Sequence, residues 1–109
     1  MKQNITLTID SSDNQETKVS IKVGNETKTF LEKSGSHKSQ TLLPLIDAAL
    51  HSLNLVISDI TDIEVNPGPG SFTGTRVGVT IANALGWVLQ IPVNGKKIET
   101  PHYSESKFD

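Results

Sequence analysis

The N-terminal third of the chain alternates between polar and apolar residues, which is the period of a β-strand with one buried face. The first such run covers residues 5–9 (ITLTI) and stops at a cluster of turn formers, residues 10–14. A second run covers residues 19–23 (VSIKV), and after a Gly-Asn pair the chain can return as a third strand over residues 27–31. Because this pair favours a tight hairpin, the sequence predicts an antiparallel three-stranded meander.

Two later segments have the period of an α-helix. From about residue 40 to residue 54, apolar side chains recur every three or four positions, and Ser39 is the predicted N-cap. Pro44 lies inside this span, so the helix should bend or begin late. A second helix is predicted from residue 72 or 73 to residue 89 or 90.

A fourth strand is predicted over residues 60–65, between the helices, and a fifth over residues 92–94. The order strand-strand-strand-helix-strand-helix-strand, with right-handed crossovers, makes the first, fourth and fifth strands parallel. This pattern is similar to the ribonuclease-H-like, actin-like (ASKHA) α/β core with a mixed five-stranded sheet. Residues 1–98 are predicted to form a single domain, and residues 99–109 an extended polar tail.

Composition narrows the classes of function. Among 109 residues, ten Lys and Arg against twelve Asp and Glu give a net charge of -2, so strong autonomous nucleic-acid binding is not expected. The absence of Cys excludes thiolate catalysis and disulfides. No segment resembles a signal-peptide core or is apolar enough to span a membrane, which predicts a cytoplasmic protein without a membrane contact.

The most informative segment is residues 68–78, GPGSFTGTRVG. Its glycines allow positive φ, and its hydroxyl residues can cap the following helix, whose free amides would attract an anion. The spacing fits neither GxGxxG nor GxxxxGK[ST], so a structural strand-to-helix turn is favoured over a phosphate cradle. The candidate anion or nucleotide site comprises Asp10, Gly68, Gly70, Ser71, Thr73, Gly74 and Arg76.

The second helix carries a ridge of small residues, which fall four positions apart at Gly74, Gly78, Ala82 and Gly86. Each internal Gly costs about 1 kcal/mol against Ala, so the ridge needs a compensating contact. That contact is either the domain's own sheet or a helix of another protein. A neighbouring ridge is apolar: Val77, Ile81, Leu85 and Val88. Because Val79 and Trp87 lie on the otherwise polar side, the helix is apolar over more than one face.

The glycine-rich segment is similar to the GPGSFTGLRIG stretch of the TsaB (YeaZ) family, with Thr75 and Val77 replacing Leu and Ile. Residues 9–12 (IDSS) resemble the family's strand-end IDTS, and residues 42–47 match its LLPLID helix. The resemblance covers about residues 5–93. Family members usually have a second domain of similar fold, so the chain resembles their N-terminal domain and looks like a short form.

The resemblance implies a catalytically silent protein without a cofactor, which assists the threonylcarbamoyltransferase TsaD in modifying tRNA. ATP and metal would belong to TsaD and to the ATPase TsaE, and tRNA would be contacted only indirectly. Family members use the two predicted helices to pair with TsaD or with a second TsaB, so a homodimer is possible. The predicted partner interface comprises Leu42, Leu43, Ile46, Leu50, Gly78, Ala82, Gly86 and Trp87.

No catalytic or metal constellation is expected. The three histidines His37, His51 and His102 are far apart, and none forms the His-x-x-x-His pair of a metal site. The acidic residues near the fourth strand are expected to be exposed charge rather than an acid-base pair; they are Asp59, Asp62 and Glu64. No Ser-His-Asp arrangement can be argued from spacing.

Asp10 is the best candidate for chemistry, since an Asp at this strand end in kinase-like proteins coordinates the metal of a bound nucleotide. The favoured alternative is that Asp10 braces the turn through Ser11 and Ser12. The competing function is therefore a small nucleotide-binding or phosphotransfer domain that uses Asp10 and the loop over residues 68–76.

Overall fold

The alternating segments form one sheet, and the two segments with helical period form helices that cover it. The computed structural model describes residues 4–13, 15–33, 38–69 and 72–95. The elements, in chain order, are β1 (Ile5–Asp10), β2 (Glu16–Val23), β3 (Glu26–Lys33), α1 (Lys38–Ser52), β4 (Asp62–Val65) and α2 (Phe72–Leu89), with a short 3₁₀ turn over Ile57–Asp59 before β4.

The strands are arranged in the order β3-β2-β1-β4. β1 pairs antiparallel with β2, and β2 pairs antiparallel with β3, which confirms the predicted meander. β1 and β4 are parallel, as expected when a helix forms the crossover between them. This places the carboxyl ends of β1 and β4 side by side at one end of the sheet.

The predicted fifth strand is wrong, since the sheet has four strands among the described residues. Val93 makes one isolated parallel bridge to Ile63 and extends no further. The reason is Asn94, whose φ of 52° turns the chain out of the extended conformation. The side-chain amide of Asn94, in place of a further strand residue, bonds to the backbone of Val65. Its Oδ1 accepts from the Val65 amide at 2.8 Å, and its Nδ2 donates to the Val65 carbonyl at 2.8 Å.

The core lies between one face of the sheet and the two helices. Leu7 of β1 and Ile21 of β2 are opposite each other and buried, and β4 contributes Ile63 to the same face. α1 and α2 cover this face with aliphatic side chains, in keeping with the low aromatic content. The opposite face of the sheet carries mainly polar side chains, among them Thr6, Thr8, Ser20 and Lys22.

Both helices end in the same way. α1 begins at Lys38, so Ser39 lies in the first turn rather than at the N-cap. Of the two effects expected from Pro44, a bend or a late start, the late start is wrong. At its end, Asn54 adopts a φ of 58°, and the Leu55 amide donates to the Leu50 carbonyl at 2.9 Å. At the end of α2, Gln90 has a φ of 59° and the chain closes with an equivalent bond. Both ends have the left-handed residue and the 6→1 bond of a Schellman motif.

The ridge of small residues on α2 faces the domain's own sheet. A Cβ on Gly78 would overlap the Ser11 hydroxyl, and one on Gly86 would approach Val93 Cγ2 to 2.5 Å. The ridge is thus explained by close packing within the domain. Val79, expected on the polar side, is 1% exposed and belongs to the core, whereas Trp87 is exposed as expected for that side.

Candidate functional site

A cleft of about 480 Å³ opens at the carboxyl ends of β1 and β4. Ligands of open α/β sheets commonly bind at such strand ends, because the loops diverge there. The cleft holds two carboxylates and two amides beside apolar residues. Its lining comprises Thr8, Ile9, Asp10, Glu64, Val65, Asn66 and Asn94.

Asp10 braces the turn that follows β1 through Ser12, one of the two serines of the favoured predicted role, whereas Ser11 bonds to Gly74. Its Oδ1 accepts from the Ser12 hydroxyl at 2.6 Å and from the Ser12 amide at 3.1 Å. Asn66 Nδ2 donates to the Ser12 hydroxyl at 3.1 Å and lies 3.5 Å from Asp10 Oδ1. Partial burial alone would raise the pKa of Asp10, but the bonds from Ser12, with Asn66 and the charge of Lys18, outweigh it and lower the pKa.

This pKa predicts a defined loss of stability in acid. Because the folded pKa lies below the ordinary value of 3.8, the charged Asp10 stabilises the fold above about pH 4, and this contribution is lost as the pH falls through the folded pKa. Asp10→Ala should therefore lower the free energy of unfolding by about 1 kcal/mol at pH 7, and by less at pH 2.5. Urea titrations at both pH values measure this difference. Asp47→Asn, exposed on α1, is the control and should have little effect.

Only some residues of the predicted anion site lie near this cleft. Gly68 has a φ of 111°, as expected for its glycine, and its amide donates to Asn66 Oδ1 at 3.0 Å. Gly74 is buried beneath β1, where its carbonyl accepts from the Ser11 hydroxyl at 2.5 Å. Thr73 lies in the first turn of α2, whereas Gly70 and Ser71 fall outside the described residues. Arg76 is exposed and lines a different depression.

That depression is a groove of about 350 Å³ on the outer side of the helix pair. α1 contributes Leu43, and α2 contributes Arg76, Val77, Thr80 and Ile81. Val88 continues the stripe of Val77 and Ile81 along α2, and beside it Trp87 projects into solvent. The exposed fractions are 48% for Leu43, 72% for Trp87 and 68% for Val88. We call Leu43, Val77, Ile81, Trp87 and Val88 the helix surface.

Most residues of the predicted partner interface lie inside the domain. Leu42, Ile46, Leu50 and Ala82 are at most 2% exposed and belong to the core, and the two glycines contact the sheet side. A buried side chain offers no surface to a partner, so Leu43 and Trp87 are the part of the predicted set that remains available. Val77, Ile81 and Val88 were missing from the set, although their spacing along α2 marks them as one stripe.

Two asparagines of the cleft, Asn66 and Asn94, were also missed. Asn66 stands before a proline and Asn94 before a glycine, contexts that indicate a turn and not a side-chain role. The expected acidic patch is divided: Asp62 accepts from Thr6 Oγ1 at 2.9 Å, Asp59 caps the 3₁₀ turn, and Glu64 alone reaches the cleft.

Within the described ranges, no group of three His, Asp or Glu residues is placed to hold a metal. His51 is exposed on α1, and His37 and His102 lie outside those ranges, as does the predicted tail over residues 99–109. The part of the chain that the structure describes has no helix of the length and hydropathy needed to cross a membrane.

The chain is similar to known proteins in both sequence and fold. A family model described as TsaD, tRNA N6-adenosine threonylcarbamoyltransferase, matches residues 28–96. The tRNA threonylcarbamoyladenosine biosynthesis protein TsaB of Bacillus subtilis is 35% identical over 82 residues, which cover 74% of this chain and 34% of that protein. The chain belongs to the family that this model describes, and it is similar to the TsaB proteins.

Other members support the assignment. TsaB of Haemophilus influenzae is 31% identical over 91 residues, covering 84% of this chain and 39% of that protein. The structure of YeaZ from Pseudomonas aeruginosa superimposes with a TM-score of 0.78 at 27% identity, covering 83% of this chain and 42% of that one. The chain thus spans between about a third and two fifths of the length of these relatives.

One polar residue of α2 is buried at an energetic cost. Thr75 lies in the first turn of α2 and is fully buried. Among the described residues, its hydroxyl is the buried side-chain oxygen that has no hydrogen-bond partner. A methyl group in place of this hydroxyl would avoid the desolvation of an unpaired polar atom.

Proposed function

We propose that this domain is a non-catalytic subunit of the machinery that forms tRNA threonylcarbamoyladenosine, and that it binds and stabilises TsaD through the helix surface. The observation that supports the proposal most directly is the exposure of Trp87 and Val88 beside an apolar groove. Large apolar side chains clustered on one face of a helix pair are typical of a docking surface. The names of the relatives supply the pathway.

The proposal assigns ATP and metal to partners. TsaE would join through the complex, tRNA would be reached indirectly, and the setting would be the cytoplasm. A net charge of -2 supports an indirect role toward tRNA, because it offers no excess of cations for phosphate contacts. A homodimer through the same surface would compete with TsaD.

The competing function, nucleotide binding at Asp10 and the loop over residues 68–76, finds less support. Asp10 is engaged with Ser12 and Asn66, and Arg76 lies at the other depression. Calorimetric titration with ATP and Mg²⁺ tests it, and micromolar binding by the isolated chain would favour this function. The ribonuclease-H-like class of the sheet remains part of the proposal, and the described residues form four strands and one bridge in place of the predicted five strands.

The binding proposal is tested by measuring the affinity of the full chain for TsaD of the same organism by calorimetry. Trp87→Asp should weaken binding by about thirtyfold or more, because a central Trp commonly contributes over 2 kcal/mol to an interface. Val56→Asp is the matched control: Val56 is 61% exposed and apolar but lies beside the 3₁₀ turn, and its replacement should leave the affinity unchanged. Equal binding by wild type and Trp87→Asp would contradict the helix surface, and failure of wild type to bind would contradict the function.

A further inference from the structure

The outer edge of β3 is unpaired within the described part of the chain. β3 is the terminal strand of the sheet. The Gly24 amide donates to the Asn4 carbonyl, and in the register of β1 and β2 this makes the even-numbered residues of β2 the ones whose backbone groups bond to β1. The backbone groups of the odd-numbered residues of β2 therefore point to β3. By the register, the even-numbered residues of β3 bond to β2. The backbone groups that point outward belong to Thr27, Thr29, Leu31 and Lys33.

This edge has the length and exposure that strand pairing needs. Seven of the eight residues of β3 are exposed, and the eighth, Phe30, is half-buried against the core. Leu31 is an apolar residue on the edge with 57% of its surface exposed. A row of free amides and carbonyls is a template for another strand, unless proline, bulges or charged side chains block it, and charges favour pairing only where the partner strand complements them. β3 has no proline, and its charges alternate in sign.

We propose that a second copy of this chain pairs with β3 antiparallel, across a two-fold axis at Phe30, so that the two sheets become one. The inference goes beyond the proposed function, because it uses the sheet edge and not the helix surface. A two-fold axis requires each contact to occur twice, so the sequence of β3 must be complementary to its own reverse.

The sequence of β3 satisfies this requirement in one register. With the axis at Phe30, Lys28 of each copy lies opposite Glu32 of the other, and the two Phe30 rings meet at the centre. These residues occupy non-hydrogen-bonded positions of the new ladder, where opposing Cα atoms are only about 4.5 Å apart. Cross-strand pairs of opposite charge and aromatic pairs stabilise a sheet.

The adjacent registers lack this complementarity. Moving the axis to Thr29 would place Glu26 opposite Glu32 twice, which joins like charges. Moving it to Leu31 would place Glu32 opposite Phe30 and leave Lys28 without an acidic partner. The charges on β3 therefore select the axis at Phe30 and select a second copy as the occupant.

A charge exchange tests the register, with the full chain studied by sedimentation equilibrium. Wild type should dimerise, and Lys28→Glu or Glu32→Lys alone should raise the dimer dissociation constant at least about tenfold, because each variant creates two like-charge pairs. The double variant Lys28→Glu/Glu32→Lys should restore the wild-type constant. Trp87→Asp should leave it unchanged, which separates this dimer from one formed through the helix surface. A monomeric wild type, unaffected single variants or a failed restoration would each overturn the proposal.

The absence of Cys in the chain allows a second test by cross-linking. Single cysteines are placed at positions 29, 30 and 31, and the rate of intermolecular disulfide formation is compared under mild oxidation. Phe30→Cys should cross-link fastest, because only this position faces itself across the axis at a Cα separation that a disulfide spans. Circular dichroism checks that each variant is folded. Faster cross-linking of Thr29→Cys or Leu31→Cys would overturn the register.

Discussion

Replacing Gly78 with Ala is expected to lower the free energy of unfolding by about 2–4 kcal/mol, although the same change stabilises most solvated helices by about 1 kcal/mol. The new Cβ would overlap the hydroxyl of Ser11, which is fully buried at the end of β1. That hydroxyl donates to the Gly74 carbonyl at 2.5 Å and so ties the first turn of α2 to the sheet. Relieving the overlap would require Ser11 to rotate, and this would break the bond.

Urea denaturation followed by far-UV circular dichroism measures the effect. Thr80→Ala, at an exposed position of the same helix, is the control and should change stability by less than about 0.5 kcal/mol. The double variant Ser11→Ala/Gly78→Ala should be more stable than the sum of the single variants predicts, because the overlap is shared between the two residues. A neutral or stabilising Gly78→Ala would show that α2 does not lie this close to β1.

The fold was largely predictable because its strands and helices each carry a clear period. The meander, both helices and the parallel pairing of β1 with β4 were predicted from alternation, three- and four-residue spacing and crossover geometry. The orientation of α2 was not. Its sequence offers two adjacent ridges, and tertiary packing selected the small one, which allows the closest approach to β1. Val79 was then buried beside that ridge, and Val77 and Ile81 were left at the flank.

The same physics explains why only part of the predicted interface set is exposed. Every apolar residue of a helix contributes to the apolar stripe, and the sequence does not show how much of that stripe the domain's own core takes up. With few aromatics, the core here needs Leu42, Ile46 and Leu50. The apolar stripe of α1 is wider than the surface that the core covers, so Leu43 at its side stays exposed. Trp87 was predictable because its position lies on the polar side of α2 in any orientation that buries the glycines.

The structure also assigns a role to a residue that the sequence presented as an ordinary turn former. Asn94→Ala should lower the free energy of unfolding by about 2–4 kcal/mol. Its amide accepts from and donates to the backbone of Val65, and it thereby extends the parallel pairing of Val93 with Ile63 by one residue. Alanine would leave both backbone groups of Val65 without these partners, and it would also be strained at a φ of 52°.

Two further variants separate these contributions. Asn94→Gly removes the amide but adopts positive φ freely, so it should cost about 1–2 kcal/mol less than Asn94→Ala. Asn54→Ala, at the end of α1, has a matching φ of 58° on an exposed residue, and its cost should match the strain alone, about 1 kcal/mol. Thermal and urea denaturation of the three variants give the comparison. If Asn94→Ala lowered the free energy of unfolding by no more than Asn54→Ala does, backbone strain alone would explain the loss. The bonds of the Asn94 amide to Val65 would then contribute nothing to the stability of the sheet.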